Sequence, residues 1–155
     1  MKRSGGFTLL EMLMVLVIVG ALVSMVGLVS PVSPQRQARI EAAGLIQVLQ
    51  AGRESAVLEG REYGLQVQRE HYRLLRFDTG GWHQRGENHV LPADLVYDLR
   101  FGGQPLVLQS GAVQPQLLLL SNDEYSAFEI DIQVNGRRLI GVSGDGLNDP
   151  VMHEG

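Results

Sequence analysis

From Phe7 to Val29 the chain is apolar for 23 residues, interrupted only by Thr8, Glu11, Ser24 and glycine. A helix of that length reaches about 35 Å, sufficient to cross the hydrocarbon layer of a bilayer with some tilt. The run sets the front of the chain apart, so a soluble fold has to be built from residue 31 onward. That remainder, about 125 residues, is large enough for one domain with a real core. Lys2 and Arg3 precede the run, and no further positive charge follows until Arg36. The excess of cations on one side predicts a cytoplasmic N-terminus, with the bulk of the chain on the other side of the membrane.

Two ordinary explanations of the run fall short. A secretory signal peptide has an apolar core of about 7–15 residues and a small-x-small cleavage site. Here the run is longer, and "GLVSPVS" is a poor site of that kind. A plain single-pass anchor accounts for everything except Glu11. A carboxylate at bilayer depth costs roughly 2.5–3.5 kcal/mol on insertion scales. Glu11 is therefore a candidate functional residue, against the alternative of an interfacial glutamate that snorkels or is protonated.

Charge and composition exclude several classes. The net charge is −4, and Lys2 and Arg3 contribute +2, which leaves −6 from Phe7 on. An acidic domain with only Arg137 and Arg138 clustered lacks the electrostatic footprint of a nucleic-acid binder. Without cysteine there is no disulfide framework, thiolate metal site or thiol nucleophile. His71, His83, His89 and His153 are scattered without metal-ligand spacing. Asp145, Asn148 and Asp149 offer oxygen atoms for calcium, but they are also ordinary turn residues and do not match an EF-hand loop. "GVSGDG" does not meet the G-x-S-x-G nucleophile pattern. No catalytic constellation emerges and no cofactor is implied, so the expectation is a non-enzymatic protein.

Beyond the run, Pro31 and Pro34 predict a kink or break. Residues 34–59 read as a second, amphipathic helix with Ser33 as cap, Pro34 in its first turn and Gly60 as stop. Leu45, Val48, Leu49 and Ala56 form one stripe, with Arg39, Gln50, Arg53 and Glu54 mostly elsewhere. Strands follow. "YGLQVQ" and "HYRLLRF" suggest a hairpin. Leu95, Tyr97, Leu99 and Phe101 share one face, as do Phe128, Ile130, Ile132 and Val134, with Asp131 and its neighbours on the solvated side. Asn135–Gly136 marks a tight hairpin turn, and "LLLLS" reads as a fully buried strand. "GGWHQRGENH" and "GGQPLVLQSGAVQP" read as loops, with Trp82 folding back onto the sheet. A helix that buries its stripe on antiparallel strands gives an α+β domain.

"KRSGGFTLLEMLMVLVIVG" resembles the type IV prepilin signature, in which a basic leader ends in glycine before phenylalanine and a glutamate stands fifth in the mature chain. The resemblance implies cleavage between Gly6 and Phe7, N-methylation of Phe7 and an assembly salt bridge from Glu11. Residues 1–6 would be the leader, 7–29 the transmembrane and assembly helix, 30–60 its amphipathic continuation, and 61–155 a periplasmic antiparallel β domain. The implied fold is pilin-like, a long N-terminal hydrophobic helix packed on an antiparallel β-sheet domain.

The segment "PQLLLLSNDEYSAFEIDIQVNGRRLIGVSGDGLNDP", ending in Gly144, Asp145 and Gly146, is similar to the H-type minor pseudopilins of type II secretion systems. Such a subunit would sit at or near the tip of a periplasmic pseudopilus, linking other minor pseudopilins to the major one. Prepilin peptidase/methyltransferase and the inner membrane would be its other partners. A type IV pilus minor pilin of the FimT or FimU kind is the alternative. The missing cysteines and the acidic tail, unsuited to capturing phosphates, weigh against it.

Overall fold

The computed structural model describes residues 8–26, 33–108 and 114–155. Its contacts divide the chain into two units, residues 1–32 and 33–155, each described by itself. Gly6 and Phe7 lie outside the described residues, as do Pro31 and most of the predicted break.

In the first unit, α1 spans Leu9–Val26, and the Thr8 carbonyl accepts the first intrahelical bonds from the Glu11 and Met12 amides. Every described side chain from Leu9 to Leu22 is exposed. An 18-residue helix reaches about 27 Å. Among the described residues no helix is long and apolar enough to cross a membrane.

The second unit is built on α2, Pro34–Glu59. Both predicted ends hold. Ser33 is in extended conformation, and its hydroxyl accepts from the Arg36 amide at 3.4 Å. Gly60 adopts the left-handed conformation (φ 61°), and the Arg61 amide reaches back to the Ala56 carbonyl at 3.1 Å, closing the last turn. Ala38, Ala42, Leu45, Leu49 and Ala56 are buried along one face, with Val48 packed at its margin. Leu45 and Leu49 each contribute roughly 2 kcal/mol by leaving water.

Among the described residues nine strands follow: β1 Tyr63–Val67, β2 His71–Asp78, β3 Gly81–Val90, β4 Val96–Phe101, β5 Gln104–Pro105, β6 Leu117–Leu119, β7 Phe128–Val134, β8 Arg137–Gly144 and β9 Val151–Glu154. They form two antiparallel sheets, β3-β2-β1-β6 and β5-β4-β7-β8-β9. The expected antiparallel β domain consists of two sheets sharing one helix. Leu65, Leu117 and Leu119 from the first sheet and Ile130, Ile132, Ile140 and Val142 from the second are buried in one core with the α2 stripe. At Gly52 the helix lies so close to the first sheet that a Cβ would fall 2.6 Å from a Leu119 methyl.

The two expected hairpins are present. β1 pairs with β2 from Tyr63 opposite Arg76 to Val67 opposite Tyr72. Asn135 (φ 49°) and Gly136 (φ 76°) form the β7–β8 turn, both in the left-handed region that a two-residue hairpin demands.

Four expectations need correction. "GGWHQRGENH" is not a loop but most of β3, an edge strand exposed along most of its length, so it has no apolar alternation to betray it. Trp82 lies on that strand and packs edge-on to Phe77, with ring centroids 5.2 Å apart. "LLLLS" is not fully buried: Leu117 and Leu119 point inward while Leu118 is 37% exposed. β1 is buried on both faces rather than half-solvated, because Gln66 and Gly64 are covered, the latter by Pro115. Asp131 is buried on the outward side of β7, where the Arg138 guanidinium forms an ion pair with it (Nε at 3.0 Å) and closely covers Gly141. Burial raises the Asp131 pKa, and the nearby Arg138 and Arg100 cations work against that rise.

Candidate assembly site

Of the predicted site residues, only Glu11 falls among the described ones. It stands exposed in the first turn of α1, the sole charged residue of that helix. A carboxylate there complements the partial positive charge of the helix N-terminus. The Gly6–Phe7 junction precedes the described helix, so its geometry is not on view. In the sequence Phe7 precedes Glu11 by four residues.

In the second unit, the residue that sequence reasoning misplaced is Arg53. It was expected among the solvated residues of α2, yet its side chain is only 8% exposed. Its guanidinium donates to the carbonyl oxygens of Asp123 (3.0 Å) and Leu147 (3.1 Å) and to the Asp149 carboxylate (3.2 Å), and pairs with the Asp123 carboxylate at 3.2 Å. It also lies over the Tyr125 ring, 4.7 Å from the centroid. Arg53 therefore ties two loops, one before β7 and one after β8, to the helix.

Those loops contain the "GDG" ending, and each residue has a physical reason. A Cβ at Gly144 would fall 2.6 Å from the Tyr125 ring and hydroxyl. Gly146 has φ 95° and touches the Tyr125 carbonyl. The Asp145 carboxylate accepts from the Asn148 side chain (2.7 Å) and from the Leu147 and Asn148 amides (2.9 and 2.8 Å), which together lower its pKa to about 2. The carboxylates of the Asp145–Asp149 loop are thus engaged in turn-making and in holding Arg53. Among the described residues no cluster of His, Asp or Glu is arranged to hold a metal ion.

A second tie joins α2 to the first sheet. His89 on β3 hydrogen-bonds Glu41 on α2 and stacks on Tyr72 with centroids 4.8 Å apart. Burial, with the Glu41 carboxylate as a lesser cause, pushes the Tyr72 hydroxyl up to about 12. The remaining histidine with a side-chain partner, His153, meets Ser143 at 2.7 Å.

Comparison with known proteins bears on both units. The prokaryotic N-terminal methylation motif matches residues 1–27. Type II secretion system protein H of Pseudomonas aeruginosa is 38% identical over 97% of this chain and 96% of its own length. The chain belongs to the type II secretion protein H family. The protein H of Vibrio cholerae serotype O1 is 26% identical over 88% of this chain. Among solved structures, the minor pseudopilin EPSH from the type II secretion system of V. cholerae shares the fold with a TM-score of 0.64 at 22% identity, covering 79% of this chain and 95% of that one. The solution structure of E. coli GspH gives 0.66 at 17%, covering 77% and 89%.

The H-type pseudopilin resemblance and the α+β fold are therefore borne out, and type II secretion is favoured over the pilus alternative. Membership in this family makes the chain a pseudopilin with a prepilin-type N-terminus.

Proposed function

We infer that the chain is made as a prepilin, cleaved between Gly6 and Phe7 and N-methylated at Phe7 by a prepilin peptidase/methyltransferase. It then serves as a non-catalytic subunit of the pseudopilus. The observation that carries this reading is Glu11: one exposed carboxylate, alone in an apolar helix, in register with the matched methylation motif. Cleavage before Phe7 creates an α-amino group that is mostly cationic near neutral pH. An isolated cation and an isolated carboxylate are each unfavourable in lipid, but set side by side they offset much of each other's desolvation. Glu11 pairs with the Phe7 amine of the adjacent subunit and so fixes axial register as the filament grows.

The anchor segment, residues 7–29, holds the chain in the inner membrane with its N-terminus cytoplasmic and unit 2 periplasmic. The leader cations Lys2 and Arg3 support that orientation. The subunit works at or near the tip, joining other minor pseudopilins to the major one during export of folded proteins. The names of its relatives support the secretion system, and the tip position extends the family resemblance.

The intact mass of the chain extracted from its native membranes tests the reading. A mass that begins at Phe7 and carries one methyl group is expected. Retention of Met1 to Gly6 in a host with active peptidase overturns it.

A further inference from the structure

The two ends of α2 differ in the charges they leave free. Removing Lys2, Arg3 and Glu11 from the chain's net charge of −4 leaves −5 for unit 2. Much of that excess is displayed at the far end of the helix, where Glu54 is exposed and the carboxylates of Asp123 and Asp149 remain 65% and 73% exposed. At the near end the first turn has no acidic residue. The Gln35 side chain donates to the Leu139 carbonyl at 3.0 Å, which sets the β7–β8 hairpin, with Arg137 and Arg138, against that turn. The acids nearby are engaged: Glu154 by Arg39, Asp131 by Arg138 and Glu41 by His89. Arg36 and Arg137 are left over, both exposed and without an acidic partner among the described residues.

An open groove of ≈ 370 Å³ separates the helix start from the hairpin, lined by Pro34 and Gln35 on one side and by Asn135, Arg137 and Leu139 on the other. No carboxylate lines it. The Arg137 guanidinium and the Asn135 amide are donors of the kind that suits a phosphate oxygen. The position of this end in the chain matters as much as its chemistry. Ser33, where unit 2 begins, follows the end of the apolar run at Val29 by four residues. Four residues span at most about 14 Å, even fully extended. With residues 7–29 in a bilayer, as inferred above, the start of α2 stays within reach of the lipid headgroups however the two units are turned.

We propose that this end of unit 2, formed by the first turn of α2 and the β7–β8 hairpin, rests on the anionic phospholipids of the membrane that holds the anchor, with Arg36 and Arg137 facing their phosphates. The proposal rests on the anchored pseudopilin reading above and adds the surface that meets lipid while the subunit waits in the membrane. An anionic surface repels an acidic domain as a whole, so the end with unpaired cations is the one that turns towards it. Each arginine close to such a surface favours the docked state about fivefold, so the pair favours it about 25-fold. The exposed carboxylates at the far end of α2 are held away from the lipid by the same field.

The test places the full-length processed chain in nanodiscs of phosphatidylcholine, alone or mixed with phosphatidylglycerol, each with a trace of headgroup-nitroxide lipid. The chain has no cysteine, so Ile40→Cys near the start of α2 and Leu58→Cys near its end each give one site for a fluorophore. Both positions are exposed, and 18 residues of helix, about 27 Å, separate them. The Ile40 label should be quenched about fivefold more strongly with phosphatidylglycerol than without it, and the Leu58 label equally in both. High salt should abolish the difference, as should the double variant Arg36→Gln, Arg137→Gln. Equal quenching of the Ile40 label in the two lipids overturns the proposal, as does a difference that survives salt. The salt arm needs no substitution at the surface, so it decides even where the double variant fails to accumulate. A chain that inserts and gives either of those results sinks this surface alone. A chain that enters neither nanodisc sinks the anchored reading, and the surface with it.

Discussion

The two helices follow each other in the chain and obey opposite rules. α1 has one charged residue in 18 and exposes every described side chain from Leu9 to Leu22. α2 has six charged residues in 26 yet buries seven positions, an arginine among them. Hydrophobicity alone did not decide which helix is covered. The pattern of α2 puts its apolar residues where two sheets meet it, so its environment is supplied by its own chain. α1 is apolar all round and has to find its surroundings elsewhere. The stability of the second unit therefore resides in α2, whereas the assembly role proposed above falls to α1.

That division can be broken at four points, one in assembly and three in folding, the three taken from the largest expected effect to the smallest. Glu11→Ala should leave the thermal midpoint of the second unit unchanged while reducing pseudopilus incorporation about tenfold or more, the loss of roughly 1.4 kcal/mol per contact. Surface-shearing or co-purification with the other pseudopilins reads this, and normal incorporation would end the case for Glu11. Leu49→Ala should do the reverse, costing about 3 kcal/mol of folding stability through lost burial and a cavity. Chemical denaturation of the detergent-solubilised chain measures it, and the chain that still folds should assemble normally.

Arg53→Met tests whether the arginine belongs with the buried stripe. It retains an aliphatic stem but strands two backbone carbonyls, so a cost of about 2 kcal/mol is expected. Hydrogen exchange should speed up selectively in the loops around Asp123 and Leu147. Asp145→Asn has the smallest effect, present at neutral pH and fading in acid as the Asp145 carboxylate itself takes up a proton. The Asp145 pKa is lowered from 3.8 to about 2, so its contribution is complete above the unfolded value and lost as pH falls through about 2. Between pH 4 and 2 the thermal midpoint of the parent chain should therefore fall more steeply than that of the variant.

Much of this was legible beforehand, because the signals were local. Ser33, Pro34 and Gly60 fix the ends of α2 through bonds within a few residues of each other, and Asn135–Gly136 fixes a turn by backbone conformation alone. The missed features depend on distant partners. Arg53 finds its acceptors in loops 70 to 96 residues away, so no window around it could reveal that it is buried. Asp131 is covered by Arg138 across a hairpin, and Gly64 by Pro115. β3 was missed for another reason: it stands at the edge of its sheet, paired with β2 and facing solvent widely, leaving no alternation to read. For the candidate site, the sequence named Gly6, Phe7 and Glu11 from a local motif, whereas the Arg53 tie exists only after two loops are folded against the helix.

The caps on α2 have a mechanical consequence. With the Ser33 hydroxyl bonded at one end and Gly60 closing the other, neither terminal turn is free to fray. Twenty-six residues then form a continuous helix about 39 Å long, capped at both ends. For the pseudopilus subunit proposed above, a helix closed at both ends means that axial force entering at Pro34 has no loose terminal turn to be lost in before Glu59.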